Sequence, residues 1–162
     1  MNDRDKTTIY LESRQRLASL IAGLQDPVAA MASVAAVLFE SLPAASWVGF
    51  YRVVEPNVLR IGPYQGPVGC LEIPFDKGVC GAAARERQPQ IVPNVHAFPD
   101  HIACDSRTRS EIVVPIMNID GDLVAVLDLD SHQEAAFDED DLEHLVEIEK
   151  LLQTCIPAAE TA

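Results

Sequence analysis

The side chains with the most chemistry to offer are four cysteines. Three of them, Cys70, Cys80 and Cys104, fall in or beside an irregular, glycine- and proline-rich middle stretch. The thiolate is the reactive form of cysteine, so what matters at each position is what favours the charge. Cys104 sits in HAFPDHIACDSRTRSEIVVPI, residues 96–116, with Arg107 and Arg109 just behind it. Either cation could favour its thiolate. Cys80 is expected in the first turn of a helix, where unpaired backbone N–H groups act in the same direction. Cys70 is available as a disulfide partner. The spacings C-x9-C and C-x23-C match no zinc knuckle and no thioredoxin-like motif. His96 and His101 complete no known zinc set with these thiols and read as loop residues hydrogen-bonded locally. Cys155, near the end of the chain, reads as a small buried residue.

A second group is made of carboxylates. EIVVPIMNI (111–119) and DLVAVLDLD (122–130) flank Asp120-Gly121, a pair that favours a two-residue type I′ hairpin turn. That turn pairs Ile119 with Asp122 and, by continuation, Val113 with Asp128 and Glu111 with Asp130. Alternation then places Glu111, Val113, Asp128 and Asp130 on one face together with Val124 and Val126, and turns Leu127 and Leu129 toward a helical layer. Like charges facing each other across a sheet repel. A bound ammonium group or a shared proton would relieve the repulsion; the alternative is the solvated face of an amphipathic hairpin. Magnesium or calcium could also use three carboxylates, but no calcium-loop pattern and no histidine–carboxylate spacing is present, so no metal is expected. Trp47 and Tyr51, four residues apart on one expected strand, share a face, as core aromatics or as pocket walls.

The elements that must position these groups follow from periodicity. Leu17, Leu20, Ile21 and Leu24 predict a helix over 9–24, and Asp26-Pro27 opens a second over 28–42 with Met31, Val34, Val37 and Leu38 inward. Strands are expected at 47–54 and 58–61. A loop over 62–78 follows, with at most a short strand at 71–73, then a helix over 79–87, a brief strand at QIVPNV and a long loop over 96–110. The hairpin precedes a final helix over about 138–155, with Asp138 as N-cap and Phe137 and Leu142 at staple spacing. The order is that of an α+β domain, with a mostly antiparallel central sheet and the N- and C-terminal helices packed on one face. The sheet and any pocket occupy about 47–130, and one domain is expected over 1–162. The formal charge of −13 argues against a nucleic-acid partner. The N-terminus carries no signal-peptide core, and no apolar run suits a membrane span. The cytoplasm is the expected compartment, where structural disulfides are rare.

Taken in order, GPYQG, CLEIPFDKGVCG, VHAFPDHIACDSRTRSEIVVPI and GDLVAVLDLDS resemble the free methionine-(R)-sulfoxide reductase family, over Trp47 to about Asp141. The resemblance implies a GAF-domain enzyme. Generic GAF domains share the late hairpin but lack the three cysteines. By this resemblance Cys104 is the catalytic cysteine, and Cys80 and Cys70 serve in resolution and disulfide relay. Glu111, Asp128 and Asp130 bind substrate, and Trp47 and Tyr51 wall the pocket. The implied substrate is the free amino acid sulfoxide, the implied reductant thioredoxin, the implied assembly a homodimer, and no cofactor is required. The competing expectation is a sensory or regulatory GAF module that binds a small ligand.

Overall fold

Residues 5–159 are described by a computed structural model; residues 1–4 and 160–162 of the expected domain lie outside it. The elements are helices α1 (Lys6–Leu20) and α2 (Pro27–Ser41), strands β1 (Trp47–Glu55), β2 (Val58–Gln65) and β3 (Glu72–Pro74), and helix α3 (Gly78–Glu86). Then come β4 (Gln90–Val92), a 3-10 turn at Val95–Ala97, β5 (Ser110–Met117), β6 (Leu123–Ser131) and α4 (Glu139–Gln153). The six strands form one sheet in the order β3-β2-β1-β6-β5-β4, every neighbouring pair antiparallel.

Strand alternation gives the sheet two faces with separate apolar cores. On one, Val48, Phe50, Ile112, Val114, Ile116, Leu127 and Leu129 pack with residues of α1, α2 and α4. On the other, Trp47, Tyr51, Val113 and Val126 pack with Val79, Cys80 and Ala83 of α3 and with Ile73. The expected α+β arrangement, with terminal helices sharing one face, is the one observed.

Polar chemistry decides where the first helix starts. α1 begins three residues earlier than apolar periodicity predicts and ends at Leu20, before Gly23 at φ +71°. Its buried stripe is Tyr10, Ser13 and Leu17, while Leu20, expected inward, is 57% exposed. The Tyr10 hydroxyl donates to Asp141 Oδ1 at 2.8 Å, and Lys6 Nζ lies 2.8 Å from Asp141 Oδ2. A search for apolar residues passes over a stripe docked through a phenol and an ammonium. α4 meets them with a capping box: Asp138 accepts from the Asp140 and Asp141 amides, and the Asp138 amide donates to Asp141 Oδ2 at 2.8 Å.

Two strand readings also change. β2 runs on through Gly62-Pro63 to Gln65 instead of ending at Ile61. Its register against β1 slips between the Gly49–Tyr64 and Tyr51–Ile61 pairs, and this bulge takes in the proline, which has no N–H to give the ladder. The β5–β6 turn is not type I′. Asn118 and Asp122 close a three-residue loop: the Asn118 amide donates to the Asp122 carbonyl at 2.9 Å, and Gly121, at φ +84°, donates to the Asn118 carbonyl. The Asn118 side chain accepts from the Asp120 and Asp122 amides, a local clamp that spares Asp120 the positive φ of a type I′ turn. This loop offsets the register by one residue. A bulge between Ile116 and Met117 offsets it back, so Val113 still faces Asp128 and Glu111 still faces Asp130. Val124 is the residue displaced: it packs on the helical core and not on the carboxylate face.

The N-cap of α2 is as read from sequence: Asp26 Oδ1 accepts from the Val28 and Ala29 amides at 3.0 and 3.1 Å. Asp26→Ala should cost about 1 kcal/mol. The check is urea denaturation, where the midpoint falls while the slope is unchanged.

Candidate active site

The sheet register sets the floor of the site. β6 lies between β1 and β5, and two cross-strand rows run over it on the α3 side: Trp47, Asp130, Glu111 and Val92, then Gly49, Asp128, Val113 and Gln90. Three carboxylates therefore occupy adjacent positions of one face. Glu111 and Asp128 are buried, at 6% and 4% exposure, and Asp130 is half-buried. Glu111 Oε1 lies 3.8 Å from Cys80 Sγ, which donates to it, while Asp128 Oδ1 is buried with no hydrogen-bond partner among the described residues.

Electrostatics follow from that crowding. Burial pushes all three carboxyls up; Asp128 and Asp130 raise Glu111 further, and Asp128 and Asp105 do the same to Asp130. Asp128 is raised from 3.8 to about 7, with the bonds to Cys80 and Glu111 opposing burial. Burial and mutual repulsion thus favour protons on the cluster, and a cation could displace them. Cys80 is the third residue of α3, yet its thiol is pushed well up, first by burial and then by Asp128, Glu111 and Asp130. The expected thiolate there is overturned. A helix terminus favours charge by about 0.3–1 kcal/mol, less than full burial among like charges opposes it.

Cys104 and Cys70 form a disulfide, with Cα atoms 5.3 Å apart. Each half arrives on a loop with its own anchor. The loop joining β2 to β3 carries Cys70. Trp47 Nε1 donates to the Pro67 carbonyl at 2.9 Å, and Gly69 lies so close that a Cβ there would stand 3.1 Å from Tyr51 Oη and 3.2 Å from the indole. Trp47 stacks between Tyr51 and Tyr64, with centroids at 5.7 and 5.3 Å. Tyr51 borders the cleft itself, and Trp47 is not among the cleft's lining residues. The segment bearing Cys104 turns around Asp105, whose carboxylate takes the Arg107 amide and guanidinium at 2.9–3.0 Å, a pairing that holds it well below the usual range. Arg109 donates to the Ser106 and Thr108 carbonyls. Both arginines bond within the loop, Arg107 to Asp105 and Arg109 to backbone carbonyls. The segment settles on the start of α3 through Gly78 N–H to the Asp100 carbonyl, 2.9 Å.

Between floor and loops lies a cleft with about 410 Å³ of empty space, its mouth to solvent included, bordered by Tyr51, Cys80, His101, Cys104, Thr108 and the three carboxylates. One half of the disulfide, Cys104, and the carboxylate cluster share one small chamber. A model of the GAF domain matches residues 25–155. The free methionine-R-sulfoxide reductase of Escherichia coli is 39% identical over 154 residues, covering 93% of this chain and 92% of its own. The chain belongs to the free methionine-R-sulfoxide reductase family of GAF-domain proteins. A reductase of that name from Neisseria meningitidis, solved in complex with its substrate, superposes with a TM-score of 0.89 at 44% identity, over 96% of this chain and 92% of its own. The Staphylococcus aureus protein, also solved with substrate, gives 0.85 at 41%, over 91% and 95%.

Within this family frame, Cys80, Cys104, Tyr51 and the three carboxylates are gathered around one space; Cys70 is tied to it through its bond to Cys104, and Trp47 stands behind it. Thr108 went unnoticed in the sequence, and His101 was read there as a loop residue, not as part of the site. His101 is not bonded locally as expected: its Nδ1 is buried without a partner among the described residues, and burial, then His96, lowers its pKa. The one available signal was its position three residues before Cys104. Cys80 Sγ and oxygens of Glu111 and Asp128 lie within 4.8 Å of one another, so a divalent cation drawn here would meet the same oxygens as an ammonium group.

The raised Asp128 pKa carries a sign that can be tested. Between 3.8 and about 7 the folded state holds a proton that the unfolded state releases. Stability from this group is therefore present at low pH and lost as pH rises through that window. Asp128→Asn should stabilise the protein more at pH near 7.5 than near 4.5. Urea midpoints of both proteins at the two pH values decide it, and a pH-independent difference contradicts the burial effect.

Proposed function

We propose that this chain reduces free methionine (R)-sulfoxide to methionine, with electrons from Cys104 and Cys70 and recycling by thioredoxin. The observation that carries the proposal is that Cys104, bonded to Cys70, borders the same cleft as Glu111, Asp128 and Asp130. The relatives' names supply the R configuration and the free amino acid.

A free amino acid brings an ammonium group, and buried carboxyls sharing protons are suited to receive it. Their ionised oxygens accept its hydrogens in charge-assisted bonds, including Asp128 Oδ1, otherwise unpartnered. In the reduced state the Cys104 sulfur forms a bond to the sulfoxide sulfur while the oxygen takes a proton from a carboxyl that keeps one. The hydroxyl passes to the Cys104 sulfur, the original S–O bond breaks, methionine departs and Cys104 is left as a sulfenic acid. The Cys70 sulfur then attacks that sulfur, water leaves and the disulfide closes. Two thiols have supplied two electrons. A dithiol of low potential such as thioredoxin returns them by exchange. The observed bond supports Cys70 as the resolving thiol; Cys80, free and buried against Glu111, serves the carboxylate cluster in this scheme.

An N-acetylated substrate presents an uncharged nitrogen and leaves carboxylate acceptors unpaired, a loss on the order of 1–3 kcal/mol, or about 5- to 150-fold. kcat/KM for free and N-acetylated methionine (R)-sulfoxide, measured under one reductant, should differ in that direction. Equal values overturn the ammonium reading. After a single turnover without reductant, mass spectrometry should find Cys104 joined to Cys70. In Cys70→Ser it should find a sulfenic acid at Cys104, and full single-turnover yield from Cys104→Ser removes Cys104 from the nucleophile role.

A further inference from the structure

Two of the most exposed large apolar side chains among the described residues stand beside the disulfide. Val68 is 78% exposed and Leu71 is 71% exposed, one two positions before Cys70 and the other directly after it. Neither holds the loop in place. That work falls to the Trp47 bond to Pro67, the close fit of Gly69 on Tyr51 and the indole, and the Ile61 amide donating to the Leu71 carbonyl at 3.0 Å. The side chains of Val68 and Leu71 are surplus to the fold.

The surroundings are as unusual in charge as in polarity. The stretch GPVGCL, 66–71, has no charged residue, and HIAC, 101–104, has no Asp, Glu, Lys or Arg, in a chain that is 23% charged with a net −13. The Cys70–Cys104 bond brings the two stretches together, and charge resumes at their edges with Glu72, Asp100 and Asp105. An apolar, uncharged collar thus surrounds the one bond that has to be reopened from outside.

We infer that this collar, centred on Val68 and Leu71, is the docking surface for a protein dithiol reductant whose own reactive cysteines are rimmed by uncharged apolar surface. The inference rests on the redox reading above and adds the surface that its last step uses. A small thiol needs access to a sulfur alone and gains little from apolar side chains held out in water. A second copy of this chain seated here would cover the bond and block its reduction. A protein reductant gains from both features: apolar burial holds it, and the lack of charge spares it the desolvation that the rest of this acidic surface imposes. In the docked pair a thiolate of the reductant attacks one sulfur of the disulfide. The Cys70–Cys104 bond breaks, and the other sulfur leaves as a thiolate and takes a proton. The reductant's second thiol attacks the mixed disulfide, freeing the remaining cysteine and leaving the reductant oxidised by two electrons.

The test reads reduction of the disulfide itself and needs no sulfoxide, so it stands apart from the test of the activity. Oxidised parent, a Val68→Glu, Leu71→Glu double variant and a Val68→Ser, Leu71→Ser double variant are each reduced by thioredoxin and, separately, by dithiothreitol. Appearance of free thiols is followed in time. The expected result is a fall of about tenfold or more in the second-order rate constant with thioredoxin for the glutamate variant, a smaller fall for the serine variant, and dithiothreitol rates within about twofold of the parent. Unchanged thioredoxin rates overturn the inference. So does a parallel loss with both reductants, which would make the side chains part of the loop's structure. So does conversion of a parent dimer to monomer in the variants by sedimentation, which would make the collar a contact between copies.

Discussion

Three carboxyl groups held together at the floor of a cleft, with no cation paired to them among the described residues, are the constraint that organises this molecule. Sheet register makes the crowding unavoidable, because Asp130 pairs with Glu111 on one side and Trp47 on the other, with Asp128 one row away. Arginines are available nearby in sequence, but Arg107 closes on Asp105 and Arg109 on backbone carbonyls, so neither neutralises the cluster. Protons are left to do so, and protons can be exchanged for a ligand. A built-in guanidinium would have made a more stable floor and a closed one, since an ion pair already complete has no bonds left to offer an ammonium group. The cleft forgoes internal satisfaction and keeps an acceptor open.

Around that floor, rigidity and mobility are assigned to different parts. The carboxylates stand on central strands, fixed by neighbours on both sides. The bonded cysteines, Cys70 and Cys104, stand on loops held by separate contacts. Trp47 links the two: it belongs to the same cross-strand row as Asp130 and Glu111, and its indole N–H holds the loop of Cys70. Sequence reasoning gives it the role of a pocket wall; the geometry makes it the strut behind the wall.

How much could be read from sequence depended on whether the signal was local. The caps at Asp26 and Asp138 were legible because a side chain and its own next turn suffice. The facing of Glu111 and Asp130 was legible too, but through two errors that cancel: the turn at Asn118 is one residue longer than Asp-Gly suggests, and the bulge after Ile116 absorbs the difference. Val124 records the cancellation, turned to the opposite face. The docking of α1 through Lys6 and Tyr10, and the orphan nitrogen of His101, depend on partners more than a hundred residues away or on a cleft assembled from several loops. No spacing along the chain encodes such partners.

The disulfide has a mechanical side as well. β3 and β4 are the two outer strands of the sheet; Cys70 lies just before one and Cys104 lies after the other, on the segment leading to β5. Their bond is a strap passing over the central strands from one margin to the other, closing a circuit with a sequence separation of 34. In a chain-entropy account a circuit of that length removes freedom from the unfolded chain worth about 3–4 kcal/mol. A cycle that opens and closes the strap therefore moves the whole domain between a braced and an unbraced state. Under the proposed function the unbraced form is the one that would receive substrate, and each turnover would leave a domain whose unfolded state is the more restricted.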